Sequence, residues 1–326
     1  MQVVAADIGG THARFAIAEV AGGRVLSLGE PVTLRTADHA SLQTAWAAFA
    51  EAQGGMLPRA AALSVASPIT GDVIRLTNNP WIIRPSLIPE RLNAEHYSIV
   101  NDFAAVAHAV AQVEPEYLVH LCGPDAAVPR AGVTTICGPG TGLGVGQLLT
   151  LPDGAYHVLP TEGGHIDYAP LDSIEDALVQ RLRAALTRVS AERVCSGPGI
   201  VAIYETLAAL EGRAVTSRDD RAIWTEALEG TDPLALAALD RFCLALGAVA
   251  GDLALAQGAS GVVIAGGLGL RIKERLLQSG FAGRFVAKGR FQAMLADLPV
   301  RLITHPQPGL FGAAAAFAQQ HVDQHP

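Results

Sequence analysis

Lysine is almost missing from this chain: Lys273 and Lys288 are the only two among 326 residues, and neither stands in a Gly-Lys-Ser or Gly-Lys-Thr step. That excludes a P-loop, in which a lysine reaches the nucleotide phosphates. A nucleotide bound here has to be held by backbone amides, hydroxyls and a metal ion. The four cysteines, Cys122, Cys137, Cys195 and Cys243, are scattered without the paired spacing of zinc sites or redox motifs, which suits small core residues in a reducing cytoplasm. Aromatics are only 5% while half the residues are hydrophobic, so the core must be built from Ala, Val, Leu and Ile. The net charge of −8 leaves no broad positive field, which argues against nucleic acid or a membrane surface as partner and for small molecules. No basic segment followed by an apolar region opens the chain, and no uninterrupted apolar run approaches the roughly 20 residues that span a bilayer. The expectation is a soluble, unprocessed cytoplasmic protein of about two domains.

The stretch from Val3 to Ile17 carries the most information. An apolar strand meets Asp7-Ile8-Gly9-Gly10-Thr11 and then resumes as a second strand. Paired glycines let amides approach an anion, Thr11 adds a hydroxyl, and Asp7 can hold a hydrated metal ion. An ordinary tight hairpin is the competing reading. A short strand, Arg24 to Leu28, and a helix, Ser41 to Glu51, follow. The continuous apolar run Ala60 to Ala66 predicts a strand buried on both faces. Val73 to Leu76 reads as a strand, and Tyr97 to Val100 as another that delivers Asn101-Asp102 to the start of a helix over Phe103 to Val113. Strand ends that feed helices are where α/β proteins bind ligands.

The same grammar then restarts. A strand over Gly132 to Cys137 runs into Gly138-Pro139-Gly140-Thr141-Gly142-Leu143-Gly144, then strands over Val145 to Leu149 and His157 to Leu159, which suggests internal duplication. Helices are expected over Ser173 to Arg188, Gly199 to Glu211, Arg221 to Leu228 and Leu234 to Gln257. A buried strand, Gly261 to Ala265, ends in Gly266-Gly267 before a helix over Leu270 to Gln278. A strand over Val300 to Thr304 and a small-residue helix over Leu310 to Gln320 close the chain. Gly197-Pro198-Gly199-Ile200-Val201-Ala202 imitates a dinucleotide fingerprint, with Asp219 and Asp220 further on, but no long buried strand precedes it. Ser196 is expected instead to cap the following helix.

Taken in order, Asp7 to Arg14, Thr77-Asn78-Asn79-Pro80-Trp81, Asn101-Asp102-Phe103, Gly138 to Gly144, Thr161-Glu162-Gly163-Gly164-His165, Glu192 to Gly199 and His305 to Gly312 form a specific set. With these motifs the chain resembles, end to end, the bacterial glucokinases of the ATP-dependent, non-ROK group in the hexokinase, actin and Hsp70 superfamily. The resemblance implies Asp102 as general base and Asn101, Asp102, Glu162, His165 and Glu192 as the set that binds sugar hydroxyls. It implies nucleotide binding by Ala6, Asp7, Ile8, Gly9, Gly10 and Thr11 on one side of the phosphates and Gly140, Thr141 and Gly142 on the other. Gly266 and Gly267 would lie near the adenosine, and Mg²⁺ would be held through water near Asp7. Without the resemblance, Asp102 also reads as a helix N-cap, and His165 as a histidine bonded within its turn. The histidine that helps hold zinc in ROK kinases has no cysteine cluster beside it here, so no zinc is expected. Ser67 stands where relatives usually carry Gly or Cys, and is expected not to touch the hydroxyl-binding residues.

The resemblance further implies an α/β fold of two ribonuclease-H-like, actin-like ATPase domains with a central cleft. A small domain would span 1–110 plus 303–326 and a large one 111–302. The reaction implied is ATP-dependent phosphorylation of D-glucose to glucose 6-phosphate, with glucose and ATP as partners and a homodimer left open. The alternatives are a kinase for mannose or an N-acetylated amino sugar, and a sugar-binding regulator without turnover. The chain begins at the phosphate hairpin with no helix-turn-helix ahead of it, so a regulator is not expected.

Overall fold

The computed structural model describes residues 1–76, 79–216 and 218–321, so Thr77 and Asn78 of the Thr77-to-Trp81 motif lie outside the described residues. The chain divides into two compact units, Met1–Glu114 with His305–Pro326, and Pro115–Thr304. In the first, β1 (Gln2–Ile8), β2 (His12–Ala21), β3 (Arg24–Leu28), β4 (Val32–Arg35) and β5 (Ala60–Val65) precede a short ribbon of β6 (Ile74–Arg75) and β7 (Ile82–Ile83), and β8 (His96–Asn101) follows. The main sheet runs β3-β2-β1-β5-β8, with β4 alongside β2. β1 pairs antiparallel with β2 and parallel with β5, which is itself parallel to β8.

Alternation along β1 sorts its side chains onto two buried faces. Val4, Ala6 and Ile8 pack with Phe15, Leu63 and Val65 against Trp46 and Phe49 of the helix Leu42–Ala52, whose capping box is formed by Ser41 and Thr44. Val3, Ala5, Ala16, Ala18, Ala60 and Ala62 form the other face, covered by Leu310, Ala313, Ala314 and Phe317 of the helix Pro308–His321. Small residues on both surfaces let that helix lie close to the sheet.

In the second unit, β9 (Leu118–Cys122), β10 (Gly132–Pro139), β11 (Leu143–Thr150), β12 (Tyr156–Thr161), β13 (Ala259–Ile264) and β14 (Val300–Ile303) form a sheet ordered β12-β11-β10-β13-β14-β9. Its first three strands are antiparallel, while β10, β13 and β14 are parallel. The strand order and senses of β3-β2-β1-β5-β8 recur in β12-β11-β10-β13-β14, so the repeated sequence grammar corresponds to a repeated ribonuclease-H-like sheet. The core is organised on the helix Pro233–Gln257, where Phe242 meets Trp224 edge-on at 5.0 Å. That helix is long and apolar enough to cross a membrane by composition alone, but 72% of its apolar window is buried within the fold.

Several expectations are corrected. The strand over Val73 to Leu76 is reduced to Ile74–Arg75 and belongs to the separate ribbon. The helix from Ser173 stops at Arg183 instead of Arg188. Leu270 to Gln278 is two short helices, Gly266–Arg271 and Lys273–Gln278, broken at Ile272. Ser196 caps nothing with its side chain: Pro198 occupies the N-cap of Gly199–Leu210, and only the Ser196 carbonyl accepts from Gly199.

Candidate active site

Strand register places the first cluster. Asp7 lies opposite Arg14 on β2 and opposite Ser64 on β5. The Arg14 guanidinium stands 3.4 Å from Asp7 Oδ2, and Ser64 Oγ donates to Oδ1 at 3.2 Å. Burial raises the Asp7 pKa above the usual carboxylate value, against the pull of Arg14 and Ser64. Gly309 completes the setting, since a Cβ there would come within 2.6 Å of the Asp7 carboxyl carbon. Ala6 and Ile8 are wholly buried beside Asp7 in a strand paired on both sides, and Ile8 O accepts from Ala66 N at 3.0 Å.

The turn after β1 is internally tied. Gly9 donates its amide to His12 O at 3.0 Å, Thr36 Oγ1 donates to Gly10 O at 2.8 Å, and Asn79 Nδ2 donates to Gly9 O at 3.3 Å. Gly9 therefore shapes the turn with its amide already engaged, while the Thr11 side chain is exposed.

Asn101 ends β8 and is the N-cap of the helix Asp102–Gln112, its Oδ1 accepting from Phe103 N at 2.9 Å and Ala104 N at 3.4 Å. The capping role thus falls to Asn101, and Asp102 is the first helical residue, with Oδ1 accepting from Phe103 N at 2.9 Å. Its carboxylate sits at the positive end of the helix. Asn101 Nδ2 donates to Ser67 O at 3.3 Å, so Ser67 does touch, through its backbone, one of the residues expected to bind sugar hydroxyls. Its own hydroxyl donates to Arg75 O at 2.8 Å and holds the ribbon.

In the second unit the glycine-rich turn joins β10 to β11. Gly140 N donates to Gly142 O at 2.8 Å, and Gly140 O accepts from Gly197 N at 2.7 Å. Gly197 is fixed in turn by Trp224 Nε1, which donates to its carbonyl at 2.9 Å. The imitation dinucleotide fingerprint is therefore a brace for the Gly140 turn. Thr141 is exposed at the tip. Gly266 follows β13 with φ +82° and packs where a Cβ would meet Pro139 O at 2.5 Å, and Gly267 beside it borders open space.

Glu162 and His165 lie exposed on the loop after β12. His165 N donates to Glu162 O at 3.0 Å, and Arg188, paired with Asp167, donates to His165 O at 2.7 Å. Ala191 N donates to Ile166 O at 2.8 Å, which brings the segment bearing Glu192 against this loop. Glu192 Oε2 accepts from Leu143 N at 3.0 Å, so the acid also rests on the end of the Gly140 turn. Glu162, His165, Glu192 and the turn are in this way gathered within one unit.

The sequence motifs contained Asn79, Gly197 and Gly309 without showing what each braces, and Ser64 and Thr36 lay outside them. Of those two, Ser64 carried a signal, as a lone polar residue in a fully buried strand.

A family model for glucokinase matches residues 4–320. The chain belongs to the glucokinase family. The glucokinase of Zymomonas mobilis subsp. mobilis is 60% identical over 321 residues, covering 98% of this chain and 99% of that protein. That of Paramagnetospirillum magneticum is 43% identical over 316 residues, with 96% of each covered. The crystal structure of a glucokinase from an Antarctic psychrotroph superposes with a TM-score of 0.85 at 35% identity, covering 97% of this chain and 98% of that one. Against this family background the clusters at Asp7, Asn101-Asp102, the Gly140 turn and Glu162 to Glu192 are the candidate active-site elements.

Proposed function

We propose that this glucokinase-family chain works through Asp102 as the general base in ATP-dependent phosphorylation of D-glucose to glucose 6-phosphate. The family membership carries the reaction itself. The observation that supports Asp102 is its position: a carboxylate at the C-terminal end of a parallel strand and the first turn of a helix, fixed by Phe103 N and by the Asn101 cap.

On this reading the sugar 6-hydroxyl oxygen forms the new bond to the γ-phosphorus while the bond from that phosphorus to the ADP oxygen breaks. The hydroxyl proton leaves late in a loose transition state, so Asp102 first orients the hydroxyl, then accepts its proton and releases it to solvent. Asn101, Asp102, Glu162, His165 and Glu192 hydrogen-bond the sugar, and a missing or inverted hydroxyl leaves one of them unpaired. ATP is held without lysine by the Asp7-to-Thr11 turn, with Ala6 and Ile8 in the buried strand that carries it, and by Gly140, Thr141 and Gly142, with Gly266 and Gly267 toward the adenosine. Among the described residues no group of three or more His, Cys, Asp or Glu is placed to cage a metal. The lone Asp7 carboxylate suits Mg²⁺ that keeps most of its water, and the bound ion would offset the triphosphate charge. Residues 1–110 with 303–326 serve as the small domain and 111–302 as the large one, acting on two small-molecule substrates in the cytoplasm.

A coupled assay with glucose, ATP and Mg²⁺ beside Asp102→Asn tests the base. Turnover is expected to fall by at least about a hundredfold, the scale of general-base catalysis, with glucose binding retained. Wild-type turnover in the variant would remove Asp102 from the role. A hexose panel tests the substrate: a preference of more than about tenfold in kcat/KM for another sugar overturns glucose.

A further inference from the structure

Gly142 stands in the turn assigned to phosphate, yet its surroundings differ from those of Gly140 two residues earlier. A Cβ on Gly140 would meet nothing within 4 Å. A Cβ on Gly142 would stand 2.3 Å from Glu192 Oε2 and 3.1 Å from its Cδ. The Gly142 backbone is not in the left-handed region, so conformation alone does not demand glycine there. What occupies the missing side chain's place is the carboxylate of Glu192, whose Oε2 is tied to Leu143 N at 3.0 Å.

We infer that Gly142 is a positioning residue for the sugar. It lacks a side chain so that the Glu192 carboxylate can lie on the turn, with Oε2 held by Leu143 N–H and Oε1 left to accept from a sugar hydroxyl. The inference rests on the assignment of Glu192 to the sugar. It makes the last residue of the turn serve the acceptor through its missing side chain, while its backbone stays available to the nucleotide. A methyl group at Gly142 displaces the far end of a flexible side chain and not backbone, so the fold is retained while the carboxylate loses its seat. A carboxylate that must reach its hydroxyl from a shifted rotamer binds more weakly, and charge-assisted hydrogen bonds depend on that geometry.

Steady-state kinetics and thermal unfolding of Gly142→Ala, Glu192→Ala, the double variant and Gly283→Ala provide the test. Gly142→Ala is expected to raise the glucose KM by about tenfold or more, with the ATP KM within about twofold and the unfolding temperature near wild type. Once Glu192 is alanine, adding Gly142→Ala is expected to change the glucose KM by less than about twofold, because the two residues act through one contact. Gly283→Ala, facing open space away from the site, is expected to leave the glucose KM near wild type. If Glu192→Ala leaves the glucose KM unchanged, the assignment of Glu192 fails and the inference falls with it. If Glu192→Ala raises that KM but Gly142→Ala does not, raises the ATP KM instead, or adds fully to Glu192→Ala, the assignment stands and the role of Gly142 is overturned.

Discussion

His108 shows how a single buried group ties stability to pH. It lies on the helix that Asp102 begins and is 5% exposed, so charging its ring costs solvation. Burial pulls its pKa from 6.5 down to about 4. Between those values the folded state binds fewer protons than the unfolded chain, so stability is fully present above the window and is lost as the pH falls through it. The whole excursion is worth at most about 3 kcal/mol. Urea midpoints of wild type and His108→Gln, followed from about pH 7 down to about pH 4.5, are expected to show a flatter decline in the variant. Parallel curves would assign the acid sensitivity elsewhere. At this scale the sequence exposed residues whose chemistry clashes with their surroundings: Asp7 after an apolar strand, Asn101-Asp102 at a strand end, Glu162 and His165 among glycines. It concealed the partners, because Ser64 reaches Asp7 across 57 residues through sheet register, which no local pattern encodes.

Elements were legible where their period was long. β1, β2, β5 and the helix Pro233–Gln257 follow from alternation or from extended apolar runs. β4 and β9 did not, being four or five residues of mixed burial that draw their stability from one neighbouring strand. The short helices from Phe281–Val286 to Gln292–Ala296 are likewise too brief for a helical period to appear. Packing between elements yields a sharper prediction. A Cβ on Gly312 would meet Ala105 O at 1.7 Å, so the helices Pro308–His321 and Asp102–Gln112 touch backbone to backbone there. Gly312→Ala must push two helices apart, with an expected loss of about 1–3 kcal/mol or more in urea unfolding. Gly283, within Phe281–Val286, borders open space, and Gly283→Ala is expected to be neutral or to stabilise by up to about 1 kcal/mol. Equal effects of the two substitutions would deny that close approach matters at Gly312.

For the whole molecule, the first unit is discontinuous: its sheet is covered by the helix Pro308–His321, remote in sequence from its strands. Removal of residues from Pro308 onward would bare the Val3, Ala5, Ala16 and Ala62 face, which Leu310 and Phe317 now cover. Such a truncated chain is expected to lose glucose phosphorylation and to bind a hydrophobic dye, and a wild-type unfolding curve would refute that role for the C-terminal helix. Local chemistry in the chain was enough to specify two strand–turn–strand units, the absence of a lysine-based phosphate site and the family motifs, because turns, strands and caps depend on residues close in sequence. Folding settled which distant groups meet. Sheet register set Asp7 between Arg14 and Ser64, the helix start made Asn101 rather than Asp102 the cap, and the loop ladder laid Glu192 against Gly142. Those meetings arise from pairing and close packing across long stretches of chain, a cost in loop entropy that only the completed core offsets.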